Sequence, residues 1–214
     1  MRAARLTDVQ VATDDPRIRD AVESFGGRAV MTRSDHQTGT DRLAEAAGSL
    51  DAQVIVNIQG DEPFVNPQML DALVTALVED AEASMSTLMS RIRAEEELDD
   101  PATVKVVVDR QGRALYFSRS RIPFNRAPSD EDRSPVYKHL GLYAYHRDFL
   151  LLYASLPPTS LQRAEQLEQL RALEHGYRIR VVETPFESIG VDTERDLERA
   201  RALMRQELER GGGA

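Results

Sequence analysis

A hydrophobic strand running straight into two carboxylates occupies residues 54–64, V-I-V-N-I-Q-G-D-E-P-F. Val54, Ile55, Val56 and Ile58 form a short, β-branched apolar run of the kind found in strands covered on both faces. Gly60 lets the backbone turn, Asp61 and Glu62 follow at once, and Pro63 stops the strand. In open α/β sheets, ligands bind just beyond the carboxyl ends of the strands. Two acids there suit a hard, oxygen-seeking cation such as Mg²⁺ that carries a nucleotide phosphate. Taken alone, the same residues also read as a solvated loop with incidental acids.

Four further segments carry chemistry-bearing side chains. In T-R-S-D-H-Q-T-G-T-D-R (residues 32–42), Thr38, Gly39 and Thr40 lead into a helix N-terminus, whose amides could hold an anion or a base edge. A plain helix cap reads the segment equally well. Y-F-S-R-S-R-I-P-F-N-R (116–126) brings three arginines to a strand end, where planar donors could clamp a carboxylate or simply face solvent. In K-H-L-G-L-Y (138–143), His139 is a lone histidine, a type more often structural than catalytic. I-G-V-D-T (189–193) sets Asp192 after a glycine at a helix start, where an N-cap is the simpler role.

The elements that must position these groups alternate between strand and helix. Strands are expected at 9–12, 29–31, 54–58, 86–89, 104–109, 114–118, 141–145 and 179–182. The first helix is announced by Asp15 and Pro16 as cap and first-turn proline, and ended by Gly26-Gly27. Others are expected at 41–47, 70–78 after Pro67, 147–154 and 162–175. Thr193-x-x-Asp196 is a capping box that opens the last helix. The pattern predicts a three-layer α/β/α sandwich on a mostly parallel mixed sheet, with a hairpin excursion turning at Arg110-Gln111-Gly112. Residues 1–210 read as one domain and 211–214 as a disordered tail.

Composition narrows the function. The chain has 214 residues, no cysteine, and 36 acids against 27 bases for a net charge of −9. It therefore has no disulfide framework or thiolate nucleophile. The acidic balance argues against nucleic-acid binding, which calls for a basic face. No apolar run is long enough to span a membrane, and the N-terminus lacks a secretory h-region, so a cytoplasmic protein is expected. Neither Gly-x-Gly-x-x-Gly nor a P-loop occurs, which removes dinucleotide oxidoreductases and P-loop ATPases.

The segments V-A-T-D-D, M-T-R-S-D-H-Q-T-G-T-D-R-L-A-E, V-N-I-Q-G-D-E-P, V-K-V-V-V-D, A-L-Y-F-S-R-S-R-I-P, K-H-L-G-L-Y-A-Y, E-Q-L-E-Q-L-R-A-L and G-V-D-T-E-R-D-L-E resemble, in order, the 3-deoxy-manno-octulosonate (Kdo) cytidylyltransferases. D-H-Q-T-G-T-D-R and H-L-G-L-Y are the more specific matches, because related nucleotidyltransferases share the Q-G-D-E-P turn. The resemblance implies a nucleotide-diphospho-sugar transferase-like fold and the reaction CTP + Kdo → CMP-Kdo + pyrophosphate, which serves lipopolysaccharide assembly. It implies Mg²⁺ on Asp61 and Asp192, leaving Glu62 to support the turn. Gln37, Thr38, Gly39 and Arg42 match the CTP-pocket segment. Gln59, Arg126, His139, Tyr143, Glu168 and Gln169 match positions around the acidic sugar, with Arg126 on its carboxylate. A homodimer is implied, with residues 141–153 as a candidate contact surface.

One family feature has no counterpart. Members open with a strand and a loop resembling I-P-A-R-x-x-S-x-R-L-P-G-K-P, which grips the triphosphate, whereas this sequence starts R-A-A-R-L-T-D ahead of the family's second strand. The expectation is an N-terminally truncated, impaired enzyme in which neighbouring strands show open edges and apolar faces. A sialic-acid cytidylyltransferase would share the fold and the metal acids. A non-catalytic nucleotide- or sugar-binding homologue is the alternative from a different functional class.

Overall fold

The computed structural model describes residues 3–126, 134–186, 190–191 and 193–211, with side chains as far as Gln206. The first half runs β1 (Val11–Thr13), α1 (Pro16–Ser24), β2 (Ala29–Met31), α2 (Gly39–Gly48), β3 (Val54–Asn57), α3 (Pro67–Glu79), β4 (Ala83–Arg91) and α4 (Glu96–Asp99). The second half runs β5 (Lys105–Val108), β6 (Ala114–Ser118), β7 (Tyr137–His146), α5 (Arg147–Ser155), α6 (Ser160–Glu165), α7 (Gln169–Glu174), β8 (Arg178–Glu183) and α8 (Glu194–Gly211). The helix starts follow the sequence signals. Asp15 accepts from the Arg17 amide ahead of Pro16, and Thr193 and Asp196 exchange the expected capping-box bonds at 3.0 and 3.2 Å. Helix α8 takes in Gly211, and the rest of the expected tail, 212–214, lies outside the described residues.

Period-two alternation along β4 and β7 builds the three layers. Met85, Met89 and Tyr145 turn toward α2, α5 and α7, where they pack with Ala47, Phe149, Leu150 and Leu170. Leu88, Leu142 and Ala144 turn the other way, onto Met69, Leu73 and Leu77 of α3. Those three α3 side chains are fully buried, each contributing about 1.5–3 kcal/mol of hydrophobic stabilisation.

The main sheet is six-stranded, in the order β6-β5-β7-β4-β8, with β3 joined to β7. Long β7 pairs antiparallel to β4 along one edge, and shares its other edge between β5 at Tyr137–Lys138 and β3 at Tyr143–His146. The α/β sandwich and the hairpin excursion are as expected. The pairings are more antiparallel than expected, however, because β7 opposes all three of its neighbours and the parallel pairs are β4–β8 and β1–β2. The hairpin turns at Gly112 (φ +74°), whose carbonyl accepts from the Val181 amide at 2.8 Å. The positive φ is what calls for glycine, since the 2.5 Å neighbour of a Cβ there is the movable end of the Arg180 side chain.

β1 and β2 form a separate two-stranded sheet, and among the described pairings β1 has β2 alone and β3 has β7 alone. Their other edges stand open, as expected from the sequence, and Val9 and Ile58 nearby are 65% and 37% exposed.

A second departure is the helix expected over 162–175, which is two helices. Gln166 interrupts it in the left-handed region (φ 53°). A non-glycine residue there costs about 1–2 kcal/mol, so outside contacts must hold the break. Within residues 141–153, Leu142, Ala144 and Leu150 are fully buried, whereas Asp148 and Leu152 are exposed.

Lys105 on β5 is fully enclosed, and its Nζ donates to the carbonyls of Asp100, Thr103 and Arg119 at 2.9, 2.6 and 2.5 Å. Burial, partly offset by Asp100, lowers its pKa. Lys105→Met strands three carbonyls, so a loss of about 2–4 kcal/mol is expected, read as a lower urea midpoint at unchanged slope.

Candidate active site

A cleft of about 1140 Å³ opens between the two sheets. One wall is the approach to β1 and β1 itself, from Arg5 to Ala12. The other is β3 and its continuation to Asp61, and α2 and the start of α7 complete it. Its volume is a little above the usual range for small-molecule sites, about 300–1,000 Å³. It lies at the carboxyl end of β3, where α/β folds place ligands.

Of the residues expected in the site, Gln37, Thr38, Gly39, Arg42, Gln59, Asp61, Tyr143, Glu168 and Gln169 all line this cleft. Asp61 is exposed at the end of β3, after the turn closed by the Glu62 amide on the Gln59 carbonyl at 3.1 Å. Its own carbonyl accepts from the Val191 amide at 2.8 Å. That bond joins two segments 130 residues apart and brings the residue preceding Asp192 against Asp61. Asp192 itself lies outside the described residues.

Thr38 is the cap of α2, its hydroxyl accepting from the Asp41 amide at 3.1 Å while the Asp41 carboxylate accepts from the Thr38 amide at 3.2 Å. Capping and nucleotide contact are compatible there, because the cap leaves the Gly39 face open and a Cβ on Gly39 meets nothing within 4 Å. Arg42 is anchored, donating to Thr32 Oγ1 at 2.5 Å and pairing with Asp14 at 3.2 Å. Among the described lining residues the cations are Arg5 and Arg42.

On the far side Glu168 is half-buried, and its carboxylate accepts from the buried Thr40 hydroxyl at 2.7 Å. The Tyr153 hydroxyl donates to the Glu168 carbonyl at 2.6 Å, and the Arg171 guanidinium lies 4.3 Å over the Tyr153 ring. Burial pushes the Tyr153 phenol up to about 12 and Tyr143 well above its ordinary value, so both remain neutral donors. Thr40, Asn57 and Tyr153 line the cleft and were missed as site residues. Thr40 and Asn57 sit inside segments already singled out, D-H-Q-T-G-T-D-R and V-N-I-Q-G-D, whereas nothing local distinguishes Tyr153.

Two expected residues stand apart from the cleft wall. Arg126 is exposed at the end of the described stretch. His139 points between β4 and β7, bonded to Thr87 Oγ1 at 2.9 Å and packed edge-on to Phe117 at 5.1 Å. Burial lowers its pKa to about 3, so the ring is neutral at working pH and suits the structural role. Its route to the cleft is through Tyr143, whose ring centre lies 5.4 Å away.

Residues 1–181 match the family model described as Cytidylyltransferase. The chain belongs to the cytidylyltransferase family. A protein of Solibacter usitatus (strain Ellin6076) named 3-deoxy-manno-octulosonate cytidylyltransferase is 54% identical over 211 residues, covering 99% of this chain and 83% of the relative. A Geobacter sulfurreducens protein of the same name is 55% identical over 206 residues, covering 92% of this chain and 82% of its own length. A solved structure described as CMP:2-keto-3-deoxy-manno-octonic acid synthetase complexed with CTP superposes at TM-score 0.88 with 45% identity, over 96% of this chain and 84% of that one. A Bacillus anthracis glucose-1-phosphate thymidylyltransferase structure, at TM-score 0.60 and 18% identity over 93% of this chain and 76% of its own, shares the fold.

His139 gives this cytidylyltransferase a measurable acid sensitivity. Its folded pKa, near 3, lies below the ordinary 6.5, so between those values the unfolded chain binds more protons and stability falls as pH drops. Between pH 6.5 and 5 the added slope approaches about 1.4 kcal/mol per pH unit, and His139→Gln is expected to flatten it in denaturant titrations.

Proposed function

We propose that this chain transfers the cytidylyl group of CTP to 3-deoxy-manno-octulosonate, the substrate pair named by its relatives and by the superposed structure. The anomeric hydroxyl oxygen of the sugar forms a bond to the α-phosphorus, the bond from that phosphorus to the bridging oxygen breaks, and pyrophosphate leaves. The hydroxyl proton passes to solvent. The observation that carries the reading is the Asp61 carbonyl–Val191 amide bond, which brings Val191 against Asp61, a residue of the wall of a nucleotide-sized cleft.

The chain's own part is positioning and charge placement, since phosphoryl transfer requires little covalent work from side chains. The α2 start (Gln37, Thr38, Gly39) faces the nucleotide with backbone amides and short polar side chains. Gln59, Tyr143, Glu168 and Gln169 face the sugar with a fixed set of donors and acceptors. Asp61 and Asp192 supply carboxylate oxygens, which fit Mg²⁺ by donor chemistry. When bound, that ion would favour the sugar alkoxide and stabilise charge at the α-phosphate.

Arg5 and Arg42 are the described cations of the cleft, and Arg42 is already engaged. The reading includes a homodimer, testable by analytical ultracentrifugation, and a cytoplasmic setting, where nucleoside triphosphates are supplied.

Pyrophosphate release from CTP with Kdo, and with sialic acid as the competing sugar, tests the assignment. Magnesium-dependent release that favours Kdo is the expected result. Asp61→Asn should lower the rate at least about a hundredfold with little change in thermal midpoint. Faster turnover of sialic acid, or an Asp61→Asn enzyme as active as the parent, would overturn the reading.

A further inference from the structure

The break between α6 and α7 is held by a knot of polar contacts that no substrate-facing role accounts for. Helix α6 ends at Glu165: the Gln162 carbonyl accepts from the Gln166 and Leu167 amides and the Arg163 carbonyl from Gln166 Nε2 at 2.7 Å, while the Glu165 carbonyl is met from outside the helix. Arg119, at the end of β6, supplies donors: its Nε bonds the Glu165 carbonyl at 2.8 Å and its Nη2 the Gln166 carbonyl at 3.4 Å. The Glu165 carboxylate returns the contact, accepting from Ser118 Oγ at 2.7 Å and the Arg119 amide at 2.9 Å. Burial, the largest single influence on Glu165, pushes its pKa up, but these bonds outweigh it and the group is held below its ordinary value. The sheet side of the knot is fixed in turn, by Lys105 on the Arg119 carbonyl at 2.5 Å and by Arg119 Nη1 on the Pro101 carbonyl at 2.8 Å.

This geometry decides where Glu168 and Gln169 point. Apolar spacing alone would carry one helix through 162–175. An uninterrupted helix would turn both residues with its own 100° per-residue rotation, away from the bearing they take after the left-handed Gln166. With the break in place, Glu168 meets the Thr40 hydroxyl across the cleft and Gln169 is 4% exposed at the cleft wall.

We infer that Glu165 is a positioning residue: its two-way contact with Ser118–Arg119 holds Gln166 in the left-handed conformation and thereby aims Glu168 and Gln169 at the sugar. The inference rests on the proposed sugar site, and its test separates the two. Hydrogen exchange read by mass spectrometry on the whole chain needs no ligand. In Glu165→Ala, peptides covering 118–121 and 166–171 should exchange about tenfold faster while α3 is unchanged. By calorimetry, Kdo affinity should weaken about tenfold and CTP affinity by less than twofold.

Adding Gln166→Gly to Glu165→Ala should restore most of the Kdo affinity, because glycine takes the left-handed conformation without an anchor. Unchanged exchange at 166–171, exchange raised uniformly across the chain, equal loss of both ligands, or no rescue by Gln166→Gly would overturn the inference. If the parent chain binds no Kdo, the sugar reading fails, and exchange together with its reversal by Gln166→Gly still decides whether Glu165 holds the break.

Discussion

Everything in this molecule is referred to the pairing of β4 with β7. β4 is buried almost along its length and is hydrogen-bonded on both edges, antiparallel to β7 and parallel to β8. A strand in that position must satisfy every backbone group within the sheet and must send apolar side chains to both faces. The two faces then become the two helical layers, with α3 on one and α2, α5 and α7 on the other. β7 extends the constraint outward, since its free edge is long enough to serve the hairpin at one end and β3 at the other. Asp61 stands where it does because β3 is registered against Tyr143–His146.

The same register sets the cleft. Tyr143 and Tyr145 share one face of β7 and project toward α2 and α5, while Leu142 and Ala144 take the opposite face. The cleft wall is therefore aromatic on its sheet side and polar where α2 and α7 begin. Helix beginnings concentrate there because strand-to-helix connections in such folds gather at one edge of the sheet.

Local signals were legible in proportion to how local their physics is. Caps at Asp15, Thr38 and Thr193 were readable because a cap is a bond spanning two or three residues. The Gly112 turn was readable because positive φ is a property of one residue. The hydrophobic run into Gln59-Gly60-Asp61 placed the cleft's end correctly, since the strand, the turn and the acid are contiguous. The expected continuous helix at 162–175 fails because its apolar spacing persists through Gln166, while the break combines a local cap by Gln166 with distant contacts from Ser118 and Arg119. His139 is expected in the site by motif; its half-buried neutral ring bonds Thr87 of β4, packs on Phe117 of β6 and adjoins Tyr143 of the cleft wall, neighbours that no local pattern encodes.

By itself the sequence determined the alternation of strands and helices, the acid at the end of β3, the capped polar start of α2 and the family to which those motifs belong. These follow from backbone propensities and short-range hydrogen bonds, which act over a few residues. Tertiary structure alone decided that Val191 closes onto Asp61, that Thr40 reaches Glu168 and that β7 opposes its three neighbours. Each of these joins segments tens to more than a hundred residues apart, and no periodicity in a one-dimensional chain encodes which distant groups will meet once the core has excluded water.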